Sequence, residues 1–449
     1  MQTQRSPRFA LLTVAAVAAI LSTACGTASN PAPTAGSTTP STARPAPSAA
    51  PGGGVPGALL AVGLAGEKDL RIIESEVGQP VLRMPNGAPD KAWGHILNVK
   101  QDGDRTRVQN LIFGEDGGRE LVLEGRWNLP TVGLDPAPVG RSLDDSTFAL
   151  VGDRAEGYGT GAVSRFAIVR AAVPPADGPL QLVRTIELKG AFEFDALSPN
   201  GSILYVIEHL TTVKGAYRVR SIPVTTGVMD PGVVVDKRNI DETMAGMPVT
   251  QLRRADGNVM TLYRGVEHPF VHALGSIEKW AVCIDLPAIG VDDADAALDW
   301  GLTQTPNGGA VYAVNATLGL VVDIDPNELT ARRTARLPTS TAAAPVIVLA
   351  KFGHEDAGPL GRRAVVTQDG ATILAGGRDG LVAVRSKDLS VAWRSLAGEK
   401  VASIALTADA ATAFVLLGSG RIVAVRTGDG SVAGTVPGDG YDRLVAITG

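Results

Sequence analysis

The sequence predicts an all-β protein built from one repeating hairpin, and three observations carry that prediction. The 449 residues include 53 Gly and 29 Pro yet are 45% hydrophobic, which suits many short strands joined by tight turns around a large core. Segments of the chain also match one another when it is slid along itself. Finally, the matching strands, such as "AVYAV", "LVAVR" and "IVAVR", are nearly continuously apolar, so both of their faces need cover.

The repeat unit can be read element by element. A shift of 41 positions carries Gly377 and Leu381 to Arg385 onto Gly418 and Ile422 to Arg426. A shift of 61 in the other direction carries Leu381-Val382 onto Leu320-Val321, and one of 107 carries Pro199-Asn200-Gly201 onto Pro306-Asn307-Gly308. A weaker copy runs from Asp144 to Leu150. Each unit has a turn rich in Asn-Gly, Asp-Gly or a substitute, residues that accept positive φ, followed by an apolar strand, a second turn and another apolar strand. Four-stranded blades packed face to face around an axis cover both faces of such strands, and about 40 residues is the usual period. The expected architecture is a single β-propeller over residues 58–449, with seven blades and eight as the alternative. A further step of 41 places Ser403 to Thr407 on Leu444 to Thr448, a first strand without its partners. Ala58 to Val62 supplies the missing hairpin strand, so pairing of the N- and C-terminal strands is expected to close the ring and remove its edges.

The first residues read as a targeting segment. Arg5 and Arg8 precede a largely apolar run from Ala10 to Leu21, too short for a stable transmembrane helix and suited to a signal-peptide core. Ser22, Thr23 and Ala24 then lead into Cys25-Gly26. This resembles a bacterial lipobox, with the usual Leu one place early at Leu21, and it implies cleavage between Ala24 and Cys25 with lipidation of Cys25. Residues 27–57 are almost entirely Ala, Ser, Thr, Pro and Gly, which have little to bury and are expected to stay extended. In polyproline form such a stalk reaches about 90 Å. The expected divisions are 1–24 signal peptide, 25–57 lipidated stalk and 58–449 propeller. Loss of the signal peptide removes two Arg and no acid, so the mature chain is more acidic than the −5 of the full sequence. An acidic domain is held at an anionic membrane by its lipid, not by charge.

These repeats resemble the YVTN/WD-repeat-like propellers of bacterial envelope proteins, and the whole chain resembles propeller lipoproteins of the actinobacterial type. The similarity covers residues 135–449 well and 58–134 poorly. It implies the fold and a location on the outer face of the cell membrane. It implies little about activity, because propellers host enzymes and docking platforms alike.

Candidate site residues concentrate in an insertion. The spacing between the units near Tyr312 and Ile373 exceeds one period by about twenty residues. The excess includes "KFGHEDAGPLGRR", where His354, Glu355, Asp356, Arg362 and Arg363 gather titratable groups suited to ligand binding or acid–base work. His268 and His272 flank Pro269 without an HExxH pattern, and a structural role is expected for both. "VDDADAALDW" lacks the Gly and terminal Glu of a calcium loop and reads as the N-cap of a short helix at Asp292 or Asp293. Cys283 lies in an apolar strand and reads as an inert buried thiol. Trp393 suggests the tryptophan-docking repeat of quinoprotein dehydrogenases, but it aligns with Gly434 and Arg332 in neighbouring units instead of recurring.

The expected function is a binding or scaffolding module for a cell-envelope protein, glycan or small ligand, tethered to the membrane through Cys25. The alternative is a lactonase-like propeller hydrolase with an acid/His or metal site at the central channel. No cofactor or metal is expected. The absence of a basic stripe interleaved with aromatics argues against nucleic acid.

Overall fold

The computed structural model describes residues 55–448, apart from 68, 86, 90–94, 113–117, 133–139, 154–160, 172–178, 211–214, 236–237, 239–243, 266–267, 288–295 and 339–361. Cys25 and the stalk residues before 55 therefore lie outside the described residues.

Consecutive strands form antiparallel hairpins throughout. The first unit opens with β1 (Leu59–Leu64), β2 (Asp69–Glu74) and β3 (Pro80–Pro85). The second has β4 (Gly87–Pro89), β5 (His95–Asp102), β6 (Arg105–Ile112) and β7 (Gly118–Glu124). The third has β8 (Trp127–Asn128), β9 (Thr147–Gly152), β10 (Val163–Arg170) and β11 (Gln181–Lys189). Next come β12 (Phe192–Leu197), β13 (Ile203–His209) and β14 (Ala216–Pro223). The fifth unit has β15 (Met244–Arg253), β16 (Asn258–Gly265), β17 (Phe270–Gly275) and β18 (Trp280–Asp285). The sixth has β19 (Trp300–Gln304), β20 (Val311–Asn315), β21 (Leu320–Asp325) and β22 (Thr330–Arg336). The seventh has β23 (Ala364–Val366), β24 (Thr372–Gly377), β25 (Gly380–Arg385) and β26 (Val391–Ser395). The eighth has β27 (Val401–Leu406), β28 (Thr412–Leu417), β29 (Ile422–Arg426) and β30 (Val432–Thr435), and β31 (Tyr441–Thr448) returns to the first.

Among the described residues seven sheets result, six of four strands and one of seven. The seven-stranded sheet divides naturally in two. β14 joins β15 through only Ala216↔Ala245 and Tyr217↔Met244, and the outer strand of the fourth unit is reduced to the bridge Val219↔Val234. The described strands thus make eight blade-sized units, the alternative count. Its closure is the expected one: β31 is the innermost strand of the first unit and pairs with β1 from Leu59↔Thr448 to Leu64↔Tyr441. Packing on the closure begins ahead of residue 58, since Ser75 Oγ donates to the Pro56 carbonyl at 2.6 Å and Val55 packs on the core of the closing blade.

The apolar strands are covered as predicted. Every residue of β20 and β28 is buried, and separate core clusters fill the spaces between successive blades. The turns between first and second strands share one device. In Ser142–Thr147, Ser198–Ile203, Thr305–Ala310, Thr367–Thr372 and Thr407–Thr412, a leading hydroxyl donates to an Asp or Asn two residues on. The same hydroxyl accepts the backbone N–H that opens the next strand. The residue after the Asp or Asn takes positive φ: Gly201 (66°), Gly308 (69°) and Gly370 (71°), with Asp145 (57°) and Ala410 (54°) as the substitutes.

Because each unit is an antiparallel meander that starts at the axis, its connections sort to two ends. First-to-second and third-to-fourth turns lie at one, the turn end. Second-to-third turns and the links to the next inner strand lie at the other, the loop end. The long links 235–243, 286–299 and 337–363 all fall at the loop end, after three consecutive units.

Candidate functional site

The link 337–363 contains all five insertion candidates. His354, Glu355 and Asp356 lie outside the described residues. At its root two adjacent arginines take opposite roles. Arg362 is exposed, and its carbonyl accepts the Ile404 N–H at 2.8 Å. Arg363 is 3% exposed, and its Nη1 lies 2.7 Å from Asp299 Oδ1.

Asp299, 4% exposed, stands just before inner strand β19, as Arg363 stands just before inner strand β23. Its second oxygen receives a hydrogen bond from Thr317 Oγ1 at 2.8 Å and lies 3.3 Å from Arg378 Nε. Thr317 Oγ1 in turn accepts the Arg378 N–H at 3.1 Å. Burial pushes the Arg363 pKa down, the Asp299 charge opposes this, and Arg378 adds to the lowering. Two local features admit the pair. Gly301 has no Cβ, and one there would lie 2.7 Å from the Ala364 nitrogen, so only Gly lets β19 and β23 approach this closely. The 3-10 turn Ala296–Leu298 is held by Asn315, whose Nδ2 donates to the Ala296 carbonyl at 2.7 Å. That turn is where a short helix was expected; Asp292 and Asp293 lie outside the described residues. With both oxygens of Asp299 engaged, this cluster is suited to fixing the root of a loop, not to moving protons.

A second polar cluster lies between the fourth and fifth units. Asp195, on inner strand β12, is 1% exposed, and burial pushes its carboxyl up to about 7. Gln251 Nε2, from inner strand β15, donates to the Asp195 carbonyl at 3.0 Å and to Thr261 Oγ1 at 3.1 Å. Asp195 Oδ2 has no hydrogen-bond partner among the described residues. Around it stand Tyr205, whose hydroxyl donates to the Ser276 carbonyl at 2.9 Å, and the stacked rings of Tyr217, Tyr263 and Phe270. The Asp195 charge contributes to raising the pKa of all three tyrosines, after desolvation as the larger cause. A neutral carboxylic acid is the form this seam accommodates.

The two histidines separate. His268 Nε2 lies 2.9 Å from Asp285 Oδ1, whereas His272 is buried in β17, edge-on to Tyr263 and opposite Cys283. Among the described residues no three His, Cys, Asp or Glu side chains group to hold a metal ion. Asp195 and Arg378 escaped the sequence reading, since single charged residues in strands or short turns carry no motif, and Asp299 lay within "VDDADAALDW" without being singled out. For Asp299 the signal available was a charge directly before the uncharged inner strand β19.

No protein-family model and no curated protein matches the sequence. Solved structures do match in fold. Apo AztD from Citrobacter koseri superposes with a TM-score of 0.51 at 11% identity, covering 87% of this chain and 97% of that one. Dihydro-heme d1 dehydrogenase NirN gives 0.49 at 13% identity over 87% of this chain and 74% of its own. The Pseudomonas aeruginosa periplasmic gluconolactonase PpgL gives 0.43 at 17%, over 79% and 98%. The chain is a β-propeller, and its structural neighbours include both enzymes and other proteins.

Proposed function

We propose that the chain is a lipid-anchored, extracytoplasmic β-propeller that presents its loop end, above all the link 337–363, to a partner in the cell envelope. The observation that carries this reading is the buried Arg363–Asp299 pair at the root of that link. A loop held at its base by a desolvated ion pair and by backbone bonds from two units has a fixed origin, which is what a recognition loop on a rigid scaffold needs. The lipobox at Cys25 and the Ala/Pro-rich stalk support a tether at the outer face of the cell membrane.

A photo-cross-linking amino acid placed at 354 or 356 in cells tests it, with the turn-end position 409 as control. Discrete adducts from the loop positions, absent from 409, are expected. Equal yields at both ends would overturn the loop-end assignment. Cys25→Ala is expected to release the chain into the medium, and unchanged membrane association would remove the anchor from the proposal.

A further inference from the structure

Exposed apolar side chains are shared unequally between the two ends of the ring. Of the nine large ones exposed among the described residues, eight lie in a turn at the turn end or within the first three residues of an outer strand, which starts there. Only Val122 stands nearer the loop end. Single residues of this kind are ordinary, but three of the eight are tied into one arc. Leu143, 39% exposed, precedes Asp144, whose N–H donates to the Pro199 carbonyl at 3.1 Å. Pro199 meets Gly257, where a Cβ would lie 2.7 Å from Pro199 Cγ and 3.2 Å from Ile277 Cδ1. Ile277 is 55% exposed, and two residues further on Lys279 reaches Asp230 at 2.7 Å, close to Val228 at 67%. The arc from Leu143 through Pro199 and Ile277 to Val228 thus crosses the turns of the third, fourth and fifth units.

Charges along the arc come in pairs. Lys279 holds Asp230, Arg141 lies 3.5 Å from Asp145, and Arg254 lies 2.8 Å from Asp256. The seventh and eighth units instead place Asp369 and Asp409 at this end. Hydrogen bonds from the Thr367 and Thr407 hydroxyls hold these carboxyls below their usual range, so those turns stay charged and hydrated.

The N-terminal part of the chain joins the ring at the same end. β1 starts opposite Thr448, the last residue of β31, and ahead of it Ser75 Oγ donates to the Pro56 carbonyl and accepts the Ala58 N–H at 2.9 Å. We propose that the turn end faces the membrane, with Leu143, Ile277 and Val228 dipping into the lipid surface and the loop end directed away from it. The inference rests on the tethered reading above. Aliphatic tips gain apolar burial at the headgroup boundary, and paired charges between them oppose that entry less than single ones. A stalk reaching about 90 Å leaves the ring free to turn, so the arc is what selects a face. Attachment at the turn end keeps the arc within reach of lipid, which favours the bilayer over a soluble protein as its occupant.

An environment-sensitive fluorescent residue placed at 228, 277 or the loop-end position 419 tests the proposal. The chain from Cys25 onward, with a hexahistidine ahead of it, is bound to phosphatidylcholine vesicles containing a nickel-chelating lipid and a spin-labelled lipid. Blue-shifted, quenched emission at 228 and 277, with 419 unchanged, is expected. Val228→Asp, at an exposed position that folding tolerates, should remove most of the quenching at 277. Equal quenching at 277 and 419 overturns the proposal, as does quenching at 277 unaltered by Val228→Asp. Quenching absent at every position also overturns it and leaves the arc to a protein partner. The hexahistidine supplies the tether, so a failure here is separate from a failure of lipidation, which Cys25→Ala reads.

Discussion

Asp299 and Asp195 are both buried carboxylates, and their partners differ. Asp299 is held by two guanidiniums and a hydroxyl. Removing Arg363 leaves it buried with only the half-exposed Arg378, so Arg363→Ala should cost about 3–5 kcal/mol, against about 1 kcal/mol or less for Arg378→Ala. Urea denaturation of the two variants measures the difference. Asp195 has no cation beside it, and burial raises its pKa to about 7. An unfolded Asp titrates near 3.9, so between about pH 4 and 7 the folded chain keeps a proton that the unfolded chain has lost. Over that window the contribution of Asp195 to stability falls as pH rises, by about 1.4 kcal/mol per unit, and it levels off outside. Asp195→Asn should therefore gain on the wild type from pH 4 to 7. Parallel stability curves for the two proteins would show that the native carboxyl is ionised throughout. Neither role was legible beforehand. Asp195 and Asp299 carry no motif of their own, and what sets them apart is the residue that the fold brings from the adjacent blade.

Between blades, an outer-strand side chain reaches the next unit's turn and donates to its carbonyls. Arg184 donates to the Val224 and Thr225 carbonyls, Arg333 to those of Ser386 and Lys387, and Trp393 to that of Thr427. Ser386 and Thr427 are 41 residues apart, the period read from the sequence. Trp393 looked private because it aligns with Arg332. The bulge falls on Arg332 in β22 and on Ala392 in β26, so the structural equivalent of Trp393 is Arg333. A one-residue offset in a bulge hides a shared joint from any fixed-shift alignment. At that joint Gly430 has φ of 75°, and a Cβ there would lie 2.5 Å from Trp393 Cε3. Gly430→Ala should cost about 2–3 kcal/mol, since strain and overlap add. Gly398→Ala has similar φ with open space around it and should cost only about 1–2 kcal/mol. Thermal denaturation of the two variants separates the terms.

Over the whole molecule, the propeller and its closure were legible because the apolar hairpin recurs and because a lone first strand at one terminus matched a partner at the other. The eighth unit was harder to read. The outer strand of the fourth unit is a single bridge, and the second unit starts with only Gly87–Pro89, so neither shows a full period. Removing residues 441–448 leaves β1 with an open edge, and the truncated chain should self-associate by size-exclusion chromatography and be cut faster by protease near residue 59. The β1–β31 pairing also sets a clock. Its members are nearly the whole chain apart, and at about 5–20 residues per second the first waits tens of seconds for the second to be made. Loop-closure entropy grows only logarithmically with that separation, so the native ring is little penalised at equilibrium. The exposure is kinetic: until β31 arrives the nascent protein is an open crescent, and that interval is when a chaperone has most to protect.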